Sequence, residues 1–143
     1  MEDRYLYKAK TTPKEKGEFN NVWVTGNLIV SNGKYYIHPV GNVVNVKNEI
    51  GRIIVMHEVI PDTICRCTGL KDKNGKLIWE NDIVKDERGN LYKAFWQNNY
   101  YQFSWICVKT DVFSIGAKWD LWSIKSFEIE VIGNIFDNPD LLQ

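Results

Sequence analysis

The sequence predicts an all-β protein built from short antiparallel strands, with almost no helix. Short runs of β-branched and aromatic residues recur along the chain, and 13% of its residues are aromatic. Such residues favour strands because their side chains pack well on a half-buried pleated surface. Turn pairs such as Asn-Gly and Pro-Asp separate these runs. Many short strands joined by tight turns are typical of sandwiches and barrels.

The N-terminal residues predict one strand followed by a polar loop. Residues 5–9 have the composition of a strand, and residues 10–21 are polar and interrupted by Pro13 and Gly17. Four lysines make this region locally basic: Lys8, Lys10, Lys14 and Lys16. A solvated loop is the ordinary interpretation of such a charge run, with a ligand-facing loop as the alternative.

A β-hairpin is predicted next. Residues 22–30 and 34–40 are rich in strand-forming residues, and Asn32 and Gly33 lie between them. Asn-Gly is the preferred pair of a two-residue type I′ turn, because both turn positions need a positive φ.

Further short strands are predicted through the rest of the chain. Residues 43–60 contain β-branched runs with a turn at 48–51, and later strands are expected at residues 77–79, 83–85, 91–96, 101–108 and 128–135. Residues 61–62 and 86–90 read as turns. Within 101–108, one face carries Tyr101, Phe103, Trp105 and Cys107 and the other carries Gln102 and Ser104. This period of two is typical of a half-buried strand.

Only two segments carry helix signals. Near the C-terminal end, Asn138 is a suitable N-cap and Pro139 a suitable first residue, with room for about one turn. Residues 114–127 have apolar residues at helical spacing, but Gly116 and the β-branched residues weaken that alternative.

The charge balance disfavours sequence-independent nucleic-acid binding. The chain has 18 Lys and Arg against 18 Asp and Glu, so its formal net charge is zero. Binding to phosphates usually needs a basic excess. No apolar run approaches the roughly 20 residues that span a bilayer, so no membrane association is predicted. Three cysteines and an N-terminus without an apolar leader favour reduced thiols in the cytoplasm.

The sequence predicts no metal site and no cofactor. A zinc site needs about four closely spaced Cys or His ligands. Cys65 and Cys67 would share one face of a strand, but Cys107 is distant in the sequence and His38 and His57 are isolated. Buried thiols are the ordinary interpretation. The glycines form no nucleotide-binding pattern.

The protein is also predicted not to be an enzyme. Glu80 and Asp82 are the nearest approach to a catalytic carboxylate pair. Both lie beside Asn81 at the entrance of a predicted strand. There, Asp82 is expected to accept hydrogen bonds from turn N–H groups, and Glu80 is expected to be solvated.

Three segments resemble the YopX family. Residues 68–84, TGLKDKNGKLIWENDIV, resemble the family pattern T-G-L-x-D-x-x-G-x-x-I-[YW]-E-G-D-I-V. Residues 21–28, NVWVTGNL, resemble its early W-V-x-G-x-L segment, and residues 131–142, VIGNIFDNPDLL, resemble its terminal V-I-G-N-I-Y-x-N-P-E-L-L segment. The residues expected to form the structural motif are Thr68, Gly69, Asp72, Gly75, Glu80, Asp82, Gly133 and Asn134.

The resemblance implies an SH3-like β-barrel over residues 63–143, with an N-terminal β segment over residues 1–62. The family is typical of phages and prophages of Gram-positive bacteria, and the resemblance implies no reaction. Asn81 stands where the family usually has Gly. Because Asn is the non-glycine residue that best tolerates a left-handed backbone, the turn is expected to survive.

Two functions are compatible with this sequence. The favoured one is a phage or prophage accessory protein in the cytoplasm of a bacterial host, which binds a protein partner or itself without catalysis. The alternative is nucleic-acid binding by a small β-barrel through Lys71, Lys73, Lys76 and Trp79. An aromatic run at Phe95, Trp96, Tyr100 and Tyr101 also motivates the alternative.

Overall fold

The computed structural model describes residues 5–13, 20–39, 47–48, 51–52, 56–112 and 114–143. These residues form an all-β structure, and every strand pairing among them is antiparallel. The strands are β1 Tyr7–Lys10, β2 Trp23–Ser31, β3 Lys34–Pro39, β4 Lys47–Asn48, β5 Gly51–Arg52, β6 His57–Glu58, β7 Cys65–Lys71, β8 Leu77–Trp79, β9 Asp82–Lys85, β10 Leu91–Gln97, β11 Gln102–Lys109, β12 Lys118–Asp120 and β13 Glu130–Asn134. The predicted all-β class is confirmed.

The chain divides into two compact units. The N-terminal unit extends from Glu2 to Arg66, and the C-terminal unit contains Cys67–Gln143. The boundary lies within β7, whose first residues belong to one unit and whose remaining residues belong to the other. The boundary predicted after residue 62 lies in the preceding 3₁₀ turn, Pro61–Thr63.

The N-terminal unit is a sheet with strands in the order β6-β3-β2-β1, and β1 also pairs with the first residues of β7. The predicted hairpin is confirmed, because Ser31 pairs with Lys34 across the turn. Asn32 and Gly33 have φ values of 51° and 73°, as the type I′ turn requires. Among the described residues of this unit, Ala9, Ile37 and Val59 form a buried apolar cluster.

Two of the four lysines in the predicted basic region lie in a strand. Lys8 and Lys10 belong to β1, and their Nζ atoms lie 4.6 Å and 5.4 Å from the centre of the Trp23 ring. Their charges therefore make cation–π contacts with a neighbouring strand. Lys14 and Lys16 lie outside the described residues.

The C-terminal unit contains a five-stranded sheet with strands in the order β12-β11-β10-β9-β13. In the same unit, β8 pairs with the later residues of β7. The core cluster comprises Ile78, Val84, Tyr92, Ala94, Trp105, Cys107 and Ile129. The largest of these side chains, Trp105, is fully buried. This core stabilises the strands because each large apolar side chain contributes roughly 1.5–3 kcal/mol when it leaves water.

The predicted faces of β11 are only partly correct. Trp105 and Cys107 are buried on the same face, as predicted. Tyr101, however, lies in the turn before β11 and is 82% exposed. Ser104 was predicted to face water but is buried, and its hydroxyl donates to Gln97 Oε1 at 2.9 Å. A small hydroxyl that finds an acceptor in the neighbouring strand can be buried at little cost.

The helix predictions have a mixed outcome. At the C-terminal end, Pro139–Leu142 forms a 3₁₀ turn with proline at its start, but Asn138 makes no side-chain cap bond. Its Oδ1 instead accepts the N–H of Asn134 at 3.2 Å. Residues 114–127 form β12 and short 3₁₀ turns rather than the alternative helix.

The predicted SH3-like barrel is not confirmed. Among the described residues, no pairing joins β12 to β13, so the five-stranded sheet has two edges. In the same residues, no helix has the length and apolar character needed to cross a membrane.

Candidate functional site

The predicted motif begins with a hairpin whose turn is organised by Asp72. This turn connects β7 to β8 at residues 72–76. Asp72 Oδ1 accepts the N–H groups of Asn74 and Lys76, each at 2.9 Å. The backbone closes the same loop, because Asp72 N–H donates to Lys76 O at 2.8 Å and Gly75 N–H donates to Asp72 O at 3.0 Å. The carboxylate therefore satisfies the donors that the turn leaves without a strand partner.

The second oxygen of Asp72 connects this hairpin to a strand of the five-stranded sheet. Asp72 Oδ2 accepts the N–H of Val131 at 2.9 Å, across a separation of 59 residues in sequence. Next to it, Lys73 N–H donates to Ile129 O at 2.9 Å. These two bonds fasten the hairpin to β13 and the residue before it. Asp72 is 5% exposed, so its contacts are largely shielded from water.

The protonation of Asp72 reflects this environment. Burial raises the pKa of its carboxyl, but the N–H groups of Val131, Lys76 and Asn74 and the charge of Lys76 outweigh burial. The pKa is therefore lowered below its ordinary value, and Asp72 is ionised at neutral pH.

A tight corner follows the hairpin and also agrees with the sequence prediction. Asp82 is buried, and its Oδ2 accepts the N–H of Trp79 at 2.9 Å. Asn81 has a φ of 70°, the left-handed conformation that the usual glycine of the family would adopt without strain. Its N–H donates to Ala94 O at 2.7 Å, and its carbonyl accepts from Ile135 N–H at 3.1 Å.

The remaining motif residues make local backbone contacts. Thr68 Oγ1 donates to Ile78 O at 2.6 Å and accepts from Leu70 N–H at 3.1 Å. Gly69 lies in β7, with its N–H 3.4 Å from Cys67 Sγ. Asn134 Oδ1 accepts the N–H groups of Phe136 and Asp137 at 3.0 Å and 2.9 Å. Gly133 lies where the Asn138 side chain leaves no room for a Cβ, and Glu80 is half-buried at the corner.

One hairpin carries four residues of the nucleic-acid hypothesis, but it presents no aromatic binding face. The aromatic run of that hypothesis lies elsewhere, with Phe95 and Trp96 half-buried in β10 and Tyr100 and Tyr101 exposed in the next turn. Lys71, Lys73 and Lys76 are exposed, whereas Trp79 is only 7% exposed. Lys73 Nζ also lies 3.4 Å from Glu130 Oε2. A buried indole offers no ring face for stacking a base, and a paired lysine is a weaker phosphate ligand.

A second turn, predicted at residues 86–90, has the same backbone design, a likeness that was not identified from the sequence. Residues 86–90 connect β9 to β10, and Asp86 Oδ1 accepts the N–H groups of Arg88 and Asn90, each at 2.9 Å. Gly89 N–H donates to Asp86 O at 3.1 Å, and Asp86 N–H donates to Asn90 O at 3.0 Å. The sequence does contain a signal for this likeness. In both DKNGK and DERGN, Gly is the third residue after Asp, and one more residue completes the turn.

The second oxygen of Asp86 has side-chain partners. Asp86 Oδ2 accepts the Asn90 side-chain amide at 2.9 Å and the Tyr92 hydroxyl at 3.0 Å. Asn90 is itself buried, and its Oδ1 accepts the Thr110 hydroxyl at 2.7 Å. The turn is thus held by a connected set of side-chain hydrogen bonds.

These contacts shift the pKa of both partners. Burial raises the pKa of Asp86, but the donors from Asn90, Tyr92 and Arg88 outweigh it, so the pKa is lowered. Burial and then the hydrogen bond and charge of Asp86 raise the pKa of Tyr92 to about 12. The pair is therefore a carboxylate and a neutral phenol at physiological pH.

A cavity of about 390 Å³ adjoins this turn, and we call it the Asp86 cavity. Its lining comprises Asp86, Glu87, Arg88, Asn90, Tyr92, Trp119, Ser123, Ile124, Lys125, Glu128 and Ile129. The Tyr92 and Trp119 rings meet edge to face, with their centres 5.6 Å apart. The volume is within the range of sites for small molecules.

The turn between β10 and β11 carries two exposed tyrosines, which we call the aromatic tip. Tyr100 is 67% exposed and Tyr101 is 82% exposed. Tyr101 has a φ of 51°, and Tyr100 N–H donates to Gln97 O at 3.2 Å. A left-handed non-glycine residue is uncommon and is often found where function constrains the backbone.

The thiols agree with the predicted interpretation. Cys65, Cys67 and Cys107 are free and buried. Burial raises the pKa of the Cys107 thiol, which keeps it protonated and unreactive. In the described part of the chain, no group of three or more Cys, His, Asp or Glu residues is arranged to hold a metal ion.

Comparison with models of protein families gives a match. The model of a protein family described as YopX protein matches residues 3–143, which is nearly the whole chain. No curated protein matches the chain.

Proposed function

The chain belongs to the YopX family, and we propose that this member is a non-enzymatic binding protein that acts through contacts with a second protein chain. The observation that carries the proposal is the aromatic tip. Tyrosine is enriched at the energetic centres of protein interfaces, because it gains much contact area at a low entropic cost. Two adjacent tyrosines, 67% and 82% exposed, form such a surface on a turn.

A non-catalytic role is supported by the use made of the motif carboxylates. Asp72 accepts three backbone N–H groups, and buried Asp82 accepts one. Asp72 therefore has few lone pairs left for a substrate, and the burial of Asp82 limits the access of a substrate to its carboxylate. We further propose a location in the cytoplasm of a bacterial host of a phage or prophage, which the free thiols and the family resemblance support.

The C-terminal unit is further proposed to be an SH3-like barrel. Four strands follow one another as a meander from β9 to β12, and the last strand, β13, returns to pair with β9. Closure would require only that β12 and β13 meet. Nuclear Overhauser effects between backbone protons of β12 and β13 would support closure. Rapid hydrogen exchange of the backbone amides in both strands would contradict it.

The aromatic tip is tested by photo-crosslinking from position 100 in living cells. Position 100 is chosen because the side chain of Tyr100 is exposed next to Tyr101. Tyr101 has a positive φ, whereas Tyr100 does not, so a benzophenone amino acid at position 100 causes no backbone strain. We expect one discrete adduct, whose mass tells a second copy of this chain from another protein. The matched control places the same analogue at Ile115, which is 73% exposed in the same unit. Absence of an adduct, or the same adducts from both positions, would contradict the proposal.

Light scattering tests the nucleic-acid alternative on the purified protein. We expect the molar mass to be unchanged by single- and double-stranded oligonucleotides at low salt, because Trp79 is buried and Lys73 is paired. A mass increase that disappears at high salt would instead favour nucleic-acid binding.

A further inference from the structure

The Asp86 cavity contains a negative charge that no neighbouring cation neutralises. The four groups that donate to the Asp86 carboxylate are neutral: the N–H groups of Arg88 and Asn90, the Asn90 amide and the Tyr92 hydroxyl. Among the residues that the structure describes, no Lys or Arg side chain forms an ion pair with Asp86. Asp72, in the similar turn, has the favourable charge of Lys76 nearby.

The other charged residues that line the cavity do not neutralise the charge of Asp86. Lys125 Nζ lies 3.9 Å from Glu128 Oε1, so this cation is paired at the rim. Arg88 and Glu87 are exposed neighbours in the turn and carry opposite charges. The lining therefore holds three carboxylates against two cations, with the half-buried carboxylate of Asp86 unpaired by charge.

The walls of the Asp86 cavity are suited to an organic cation. Trp119 contributes a half-buried aromatic ring, which meets the buried Tyr92 ring edge to face, and Ile124 contributes a half-buried apolar side chain. Aromatic rings attract cations through the negative potential of their faces, and indole is the strongest of the natural rings in this respect. An aromatic and apolar wall next to a carboxylate is the usual composition of sites for alkylated ammonium groups.

We propose that the Asp86 cavity binds a quaternary ammonium group. The two carboxylate oxygens offer about four lone-pair positions, and protein donors already occupy four. A primary ammonium or guanidinium group would need further acceptors to replace its hydration. A quaternary ammonium group donates no hydrogen bond and therefore needs no further acceptor. The charge of Asp86 and the aromatic wall can attract it without one. This inference rests on the Asp86 cavity alone and is independent of the aromatic tip.

Calorimetric titration of the purified full-length protein with choline tests the proposal. The neutral isostere 3,3-dimethylbutan-1-ol has the same shape without the charge, and n-butylammonium has the charge with three donors. We expect saturable choline binding, with both controls binding at least about tenfold more weakly. Phosphocholine and a trimethyllysine peptide are further probes that distinguish a headgroup from a modified side chain as the source.

Two variants test the position of the site. Asp86→Asn removes the charge while keeping an acceptor for the turn, and we expect choline affinity to fall about tenfold. Ser123→Phe fills the cavity from an exposed residue on its rim, so it tests the same site even if Asp86→Asn does not fold. The matched control is Asp120→Asn, an exposed carboxylate of the same unit that does not line the cavity.

The proposal is overturned by any of three results. In the first, the folded wild-type protein shows no saturable binding of choline. In the second, the neutral isostere or n-butylammonium binds as tightly as choline. In the third, the Ser123→Phe substitution leaves the affinity for choline unchanged. Loss of binding in Ser123→Phe with retention in Asp120→Asn supports it.

Discussion

The turns at residues 72–76 and 86–90 share a pattern of backbone hydrogen bonds, whereas the second oxygen of each aspartate has different partners. In both turns, Oδ1 accepts the N–H groups two and four residues later. Asp72 Oδ2 accepts a backbone N–H from β13, and Asp86 Oδ2 accepts two side chains beside a cavity. Local sequence thus determines the turn, and the long-range partner determines its role.

This difference separates a structural turn from a candidate binding turn. The bond from Val131 joins two parts of the C-terminal unit across 59 residues, so it is made only when the unit is folded. The contacts of Asp86 with Asn90 and Tyr92 lie within six residues of it in sequence. We therefore expect Asp72 to matter more for stability than Asp86.

The largest expected effect is that of Asp72→Ala. The substitution removes the acceptor of three N–H groups, including that of Val131, and leaves these donors without that partner. We expect the free energy of unfolding to fall by about 3 kcal/mol. Urea unfolding followed by tryptophan fluorescence measures this loss. The control Asp72→Asn, which keeps one acceptor oxygen, should recover part of it.

A smaller loss is expected for Asp86→Ala. Asp86 is half-buried whereas Asp72 is 5% exposed, and the Tyr92 hydroxyl beside the cavity can bond to water when the carboxylate is removed. We expect a decrease of about 1.5–2 kcal/mol in the free energy of unfolding, measured by the same urea experiment. A loss greater than that of Asp72→Ala would contradict this ranking. It would mean that the contact of Asp72 with β13 contributes less to stability than the side-chain contacts of Asp86.

Acidification should weaken both turns. The hydrogen bonds in each turn lower the folded-state pKa of Asp72 and of Asp86 below the ordinary value of an aspartate. The stability that each contributes is therefore present above about pH 4 and is lost as the pH falls through the folded-state pKa. Urea midpoints measured between neutral pH and pH 2 should show a slope in the acid range. That slope should be reduced in Asp72→Asn and in Asp86→Asn, and an unchanged slope in both would contradict the assignment.

The smallest expected loss of stability is that of replacing either turn glycine by alanine, and it should be equal at the two positions. Gly75 and Gly89 have φ values of 80° and 87°, and an added Cβ would contact nothing within 4 Å at either position. Gly75→Ala and Gly89→Ala should therefore each cost about 1 kcal/mol, from backbone strain alone. Parallel thermal or urea unfolding of the two variants checks the equality. A large difference between them would show that the turns differ in their backbone and not only in the second oxygen.

Features that depend on neighbours in sequence were predictable. The turn at Asn32 and Gly33 and the left-handed Asn81 follow from the conformations these residues accept. The bond from Trp79 N–H to Asp82 also lies within a few residues and was expected. Each of these features requires only local sterics and local hydrogen bonds.

Features that depend on distant strands were not predictable in the same way. The contact between Asp72 and Val131 requires β13 to lie beside the hairpin. The Asp86 cavity requires Trp119 and Ile129 to approach a turn that ends at least 29 residues earlier in the sequence. Residue periodicity gives the faces of a strand but not which strand lies next to it. Burial of Ser104 depends in the same way on Gln97 in the adjacent strand.

The buried free thiols give each compact unit its own reporter of transient opening. Cys65 belongs to the N-terminal unit and Cys107 to the core of the C-terminal unit, and each is 1% exposed. A thiol reagent can modify such a side chain only when the surrounding structure opens, so the modification rate follows the local opening equilibrium. Mass spectrometry of the labelled peptides would resolve the two rates without any engineered probe. The chain thus carries a built-in kinetic assay for whether its two halves unfold together or one after the other.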